Sequence, residues 1–201
     1  MYNADFLVPF VYILAAIFYA LVGLYAWRKR PAVGVVSFAW VMLSMSIWSL
    51  TYALEIFLPT INAKLQVLNI EYLGILGVPV FLFFFALDFT GRSHLLTPRF
   101  RLILWGVPAF ILLMVWTNPL HSLMWGKVET FRSGSLSLLS VDFRSAFWVN
   151  IIYTYGLVIA ACIILIMEFL QRPGSLRLQI SFVILSLLAS LLGSSTFVLN
   201  I

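Results

Sequence analysis

Six apolar runs, each close to the length that crosses a bilayer, dominate this chain at about 7–27, 35–54, 67–87, 102–116, 147–167 and 178–199. Roughly 20 helical residues cover about 30 Å of hydrocarbon at 1.5 Å per residue. Lipid offers no partner for backbone N–H and C=O groups, so each run must close its hydrogen bonds internally as a helix. The expected fold is therefore an all-α membrane protein, a polytopic helical bundle forming one transmembrane domain over 1–201. Only 9% of residues are charged and 63% are apolar, too little polar surface for a soluble domain. The net charge of +5 is scattered over run ends, where it orients a membrane protein, and does not point to nucleic acid. The single cysteine, Cys162, lies mid-run and reads as a small core or lipid-facing residue.

The basic residues set an expected orientation. The first run has Asp5 before it and Arg28-Lys29-Arg30 after it, unlike a cleavable signal peptide. With the N-terminus outside, the inner loops carry Arg28, Lys29, Arg30, Arg92, Arg99, Arg101, Arg172 and Arg177. The outer loops carry Lys64, Lys127, Arg132 and Arg144; eight against four, on shorter inner loops, favours N-out. Six spans return the C-terminus outside, so a seventh span and an output domain are expected beyond Ile201. Asp88 with Arg92, and Glu168 with Arg172, have the spacing of helical ion pairs at inner ends. Trp27, Trp105, Trp116 and Trp148 fit an aromatic belt.

Two acids break the apolar pattern. Glu55 and Glu71 sit near the outer ends of successive runs, and a carboxylate at that depth needs a partner, water or the bundle interior. Trp48, Tyr52 and Glu55 share one helical face; Tyr72 adjoins Glu71; Asn150 and Tyr153 share a face of the fifth run. Such groups also serve as interhelical packing glue. Acids combined with aromatic faces, however, predict a pocket open to the outer side, able to hold a cation or a hydrogen-bond donor. The long outer connection, Thr117 to Ala146, has two alternating runs about a Ser-Gly turn and reads as a β-hairpin. Leu120, Leu123, Met124 and Trp125 are too apolar for a solvated loop, which predicts a lid lying on the helix ends. His121 in that lid is placed to meet one of the acids, and alone it makes no metal site.

The stretches Leu54-Glu55, Ile70-Glu71-Tyr-Leu-Gly-Ile75, Phe85-Ala-Leu-Asp-Phe-Thr-Gly91 and Thr117-Asn118-Pro-Leu-His121 with Trp125 resemble the N-terminal seven-helix sensor region of bacterial histidine kinases. The same region also precedes diguanylate cyclases. The resemblance implies a receptor in the bacterial inner membrane that signals to a cytoplasmic kinase or cyclase. Its matching positions here are Glu55, Glu71, Asn118, His121 and Trp125. The resemblance does not supply a ligand; the expected partners are a small molecule of unknown identity, membrane lipids and a second copy through the full-length protein, and no cofactor is expected. No phosphoacceptor histidine, nucleotide-binding or cyclase motif is present, so this chain is not itself the enzyme. A small transporter or channel subunit is the alternative; it needs a polar track through the inner halves of the spans, which are nearly bare of polar groups.

Overall fold

The computed structural model describes residues 7–134 and 136–171. In chain order it holds α1 (Leu7–Arg28), α2 (Val35–Phe57), α3 (Ile61–Phe89), α4 (Pro98–Trp116), the single turn α5 (Asn118–His121), β1 (Trp125–Ser133), β2 (Leu136–Phe143) and α6 (Ser145–Gln171). Among the described residues five helices, α1 to α4 and α6, are long and apolar enough to cross a membrane. The sixth expected span, at 178–199, lies outside the described residues, as do Arg172 and Arg177.

α3 is the hub. Three buried clusters each draw on it: Leu82, Phe85 and Ala86 meet α2 and α6; Val80, Phe84 and Leu87 meet α4 and α6; Tyr72 and Leu76 meet α4 and the hairpin. A helix apolar on every side is what such a central position requires. α3 also starts earlier than hydropathy predicts, because Thr60 caps it by accepting from Ala63 N–H at 3.3 Å. It ends in a Schellman motif, with Arg92 N–H on Leu87 O at 2.8 Å and Gly91 N–H on Asp88 O at 3.1 Å. Gly91 has φ 73°, the left-handed conformation that this stop demands.

That stop removes one expected ion pair. Arg92 lies past the helix, out of reach of the Asp88 register. Asp88 instead accepts from the Ser37 hydroxyl of α2, and Arg92 pairs with Glu168 of α6 at 3.2 Å. Trp105 also departs from expectation. α4 begins at Pro98, so Trp105 is two turns inside it and packs on Phe81 at 5.2 Å, in the core rather than a belt. The two-stranded sheet is antiparallel, with Val128 opposite Val141 and Ser133 opposite Leu136. It packs at the end of the bundle where α2 stops and α3 and α6 start.

Candidate functional site

The turn from Leu58 to Thr60 sets the first turn of α3 beside the last turn of α2. Lys64 thereby faces Glu55. Its Nζ donates to the Glu55 carbonyl at 2.5 Å and to the Ser137 carbonyl of β2 at 2.7 Å, and lies 4.0 Å from Glu55 Oε1. Glu55 Oε1 accepts from Leu139 N–H at 3.2 Å. Ser137 and Leu139 are two apart, so these groups lie on one edge of β2. An acid and a base thus stand where a third strand would, and they satisfy an edge that would otherwise be open. Lys64 is 0% exposed, not the membrane-edge lysine its place at a run boundary suggests. A cation opposes the dipole at the start of α3, but here it completes the carbonyl end of α2.

Glu71 is seven residues further along α3, about 10 Å down the axis. The two acids therefore do not share a depth, contrary to expectation: Glu55 lies level with Lys64 and Glu71 level with Trp48. Gly74 makes this second level possible. A Cβ there would sit 2.6 Å from Ser44 O and 2.7 Å from Trp48 N, so only glycine lets α2 come this close. The Trp48 side chain meets the Glu71 carboxyl, with Tyr72 next to Glu71 in α3 and Tyr52 one turn beyond Trp48 in α2. Tyr52 also packs edge-on against Tyr12 of α1 at 4.7 Å between centroids. Glu71 is 5% exposed, and its Oε2 has no hydrogen-bond partner among the described residues.

The loop before the hairpin is built around Asn118. Its Oδ1 accepts from Met124 N–H at 2.9 Å and Trp125 N–H at 3.3 Å, and its Nδ2 donates to Trp125 O at 3.0 Å. The amide thus imitates a paired backbone and turns the chain from α5 into β1. Trp125, buried, packs on Tyr72 at 5.8 Å, so the hairpin root touches the ring beside Glu71. His121 does not reach either acid. Its Nδ1 accepts from Leu123 N–H at 3.0 Å, which leaves the proton on Nε2, 3.1 Å from Thr117 Oγ1. Thr117 in turn donates to Leu113 O at 2.6 Å, so the whole chain of bonds serves the loop.

Trp48, Tyr52, Glu71 and Tyr72 are therefore brought together, with Trp125 against the last. Tyr153 is not in this group. The Tyr153 hydroxyl donates to Leu104 O of α4, and its ring packs against the cluster that holds Val80 and Leu104. Val80 is nine residues, about 13 Å, beyond Glu71 along α3. Asn150 is buried with Oδ1 unpartnered among the described residues, and Thr154 bonds back to its carbonyl at 2.8 Å. Sequence reasoning missed Lys64 and Tyr12. The signal for Lys64 was its spacing: Lys64, Leu68 and Glu71 recur at four and three on one helical face.

The family model described as the N-terminal 7TM region of histidine kinase matches residues 11–201. No curated protein and no solved structure matches the chain.

Proposed function

The chain belongs to the family of N-terminal 7TM regions of histidine kinases, and on that premise we propose that it detects a small ligand at Glu71 beneath the hairpin and passes the event to a cytoplasmic kinase. Membership makes it a membrane sensory input domain, non-catalytic in itself. The observation that carries the ligand reading is the buried Oε2 of Glu71, beside the Trp48 side chain and with no hydrogen-bond partner among the described residues. Ionisable groups at membrane depth without a structural partner default to function.

The hairpin end is the outer face in this reading. Arg28, Lys29, Arg30, Arg92, Arg99 and Arg101 all lie at or beyond the opposite helix ends. Lys64 is consumed in a buried pair, which leaves the hairpin side with Lys127, Arg132 and Arg144. A ligand must favour one helix arrangement over another to signal. The α2–α3 pair offers such a route, from Trp48 and Glu71 to the Ser37–Asp88 and Arg92–Glu168 contacts at the far end. The full-length receptor dimerises, and its output follows the relative position of α2 and α3.

The test is a transcriptional reporter of the kinase pathway in cells carrying the full-length receptor with Glu71→Gln. The expected result is loss of stimulus response at wild-type membrane abundance; a normal response removes Glu71 from sensing. Reporter fusions after Arg101 and within Ser133 to Ser137 should read cytoplasmic and external respectively. The reverse pattern overturns the orientation.

A further inference from the structure

We propose that the turn between α1 and α2 binds the phosphate of an anionic phospholipid through Arg30 and Lys29, a site independent of any ligand at Glu71. Arg28, Lys29 and Arg30 stand in a row there, and no Asp or Glu lies between Asp5 and Glu55 to neutralise them. None of the three has an acid partner among the described residues. At the hairpin end, by contrast, Lys64, Lys127 and Arg144 each have one within 4.0 Å. Two of the unmatched cations are nevertheless held in place. The Arg30 guanidinium lies 3.8 Å from the centre of the Trp27 ring, and its Nε donates to Trp27 O at 3.0 Å. Trp27 packs edge-on against Trp40 at 5.9 Å, and Trp40 stacks on Phe81 of α3 at 5.5 Å. Arg30 is thus braced on the hub helix through two indoles. Lys29 Nζ sits 5.1 Å from the centre of the Tyr25 ring.

This arrangement selects a ligand class. The ring contact and the Nε bond leave the terminal N–H groups of Arg30 without an acceptor among the described residues. They form a planar fork that fits two phosphate oxygens, and Lys29 adds a second charge with three donors. A zwitterionic headgroup would bring its own cation to a turn that already carries three, so a net anion is preferred. The ligand is a lipid and not free phosphate because apolar surface continues from the cations. Tyr25, Val36 and Trp40 are exposed on the two helices that meet at this turn, where acyl chains can cover them. The cations also close a helix long enough to span, at the level where headgroups lie. In the proposed orientation that level is the cytoplasmic leaflet, whose anionic lipids attract such clusters. A basic stop that only orients the chain requires no fixed geometry. A guanidinium braced on stacked indoles goes beyond that need.

The test is native mass spectrometry of the chain in non-ionic detergent, titrated with phosphatidylglycerol and with phosphatidylcholine of the same acyl chains. Inorganic phosphate is added as a competitor. Phosphatidylglycerol should bind saturably and about tenfold more tightly than phosphatidylcholine, and millimolar phosphate should not displace it. Arg30→Gln should weaken binding by about tenfold, the worth of one charge-assisted contact. Arg30→Lys keeps the charge but loses the fork, and should weaken it by about fivefold. The control is Arg99→Gln with Arg101→Gln, which removes two cations from the start of α4 and should change affinity by less than about twofold. Equal binding of the two lipids, or displacement by phosphate, overturns the proposal. So does wild-type affinity in Arg30→Gln or Arg30→Lys. An equal loss in the α4 control also overturns it, since diffuse charge would then explain the binding. Should the Arg30 variants fail to fold, Lys29→Gln decides: a loss of about fivefold supports the site, and none overturns it.

Discussion

Glu55 and Glu71 are the same residue type, on adjoining helices, each 5% exposed, yet their surroundings are opposite. Glu55 is matched on every side: Lys64 compensates its charge and Leu139 N–H donates to it. Glu71 has the Trp48 side chain, aromatic rings and an Oε2 with nothing to bond among the described residues. Burial alone therefore does not mark a functional acid. The informative quantity is the balance left after the protein's own partners are counted. Glu55 joins a helix hairpin to a β-hairpin and carries a structural load. Glu71 has an incomplete set of interactions among the described residues, which the proposed ligand would finish.

The largest expected effect lies on the matched side. Lys64→Met leaves Glu55 buried without its cation and frees the Ser137 carbonyl. Breaking a buried pair from one side costs about 3–5 kcal/mol. Unfolding in detergent should show that loss, with protease cleavage near Gly134 appearing as the hairpin lifts. Adding Glu55→Gln should recover most of it, since a pair removed from both sides is near neutral. A double variant as unstable as the single would mean that Lys64 acts by filling space and not by matching charge.

Gly74→Ala comes next, because it attacks the seam that brings Trp48 to Glu71. The new Cβ would strike backbone at 2.6 Å and 2.7 Å, which cannot rotate aside. Overpacking of this kind costs roughly 1–3 kcal/mol. Gly106→Ala and Gly156→Ala are the controls, since nothing lies within 4 Å of a Cβ at either site. Equal loss in all three would show helix propensity or lipid effects, not a seam. Asn118→Ala should follow at about 1–2 kcal/mol, from the hydrogen bonds it removes at Met124 and Trp125. Its diagnostic is a change in Trp125 environment, read as a fluorescence shift, with the spans intact.

The contrast between the acids was half visible in the sequence. Five apolar runs yield five helices, and the alternation from Trp125 to Val141 yields the hairpin, because these signals are local and periodic. The acids with Trp48, Tyr52 and Tyr72 were also legible, as polar and aromatic interruptions at helical spacing. What hydropathy hid was the level of each acid. A polar first turn, from Ile61 to Gln66, reads as loop, so the start of α3 was placed too late and Glu71 too near its end. The partner of Glu55 was hidden for a different reason. Its contacts come from Lys64 across a turn and from a strand more than 80 residues away, and no periodicity encodes that distance. His121 misled because a histidine near acids invites pairing, while the loop's own N–H and hydroxyl groups claimed both its nitrogens.

The smallest expected stability change belongs to Glu71→Gln, and it tests the comparison most directly. Glu71 has little to lose among the described residues, where Oε2 has no partner and a second acid acts on it. Gln has nearly the same shape, so the close approach at Gly74 is kept. The substitution replaces a buried ionisable group by a neutral amide, which still offers an oxygen to Trp48. The unfolding midpoint in detergent should therefore stay within about 0.5 kcal/mol of wild type, or rise, as substitutions away from matched groups do. Glu55→Gln, measured beside it, should fall, because it strips the charge that Lys64 matches and leaves a buried cation. If Glu71→Gln falls as far as Glu55→Gln, Glu71 is a packing acid like its neighbour and the distinction between them collapses. If it holds or rises while the receptor loses its response, the free oxygen of Glu71 is kept at a cost to stability. In that case the ligand, and not the fold, explains why an acid stands there.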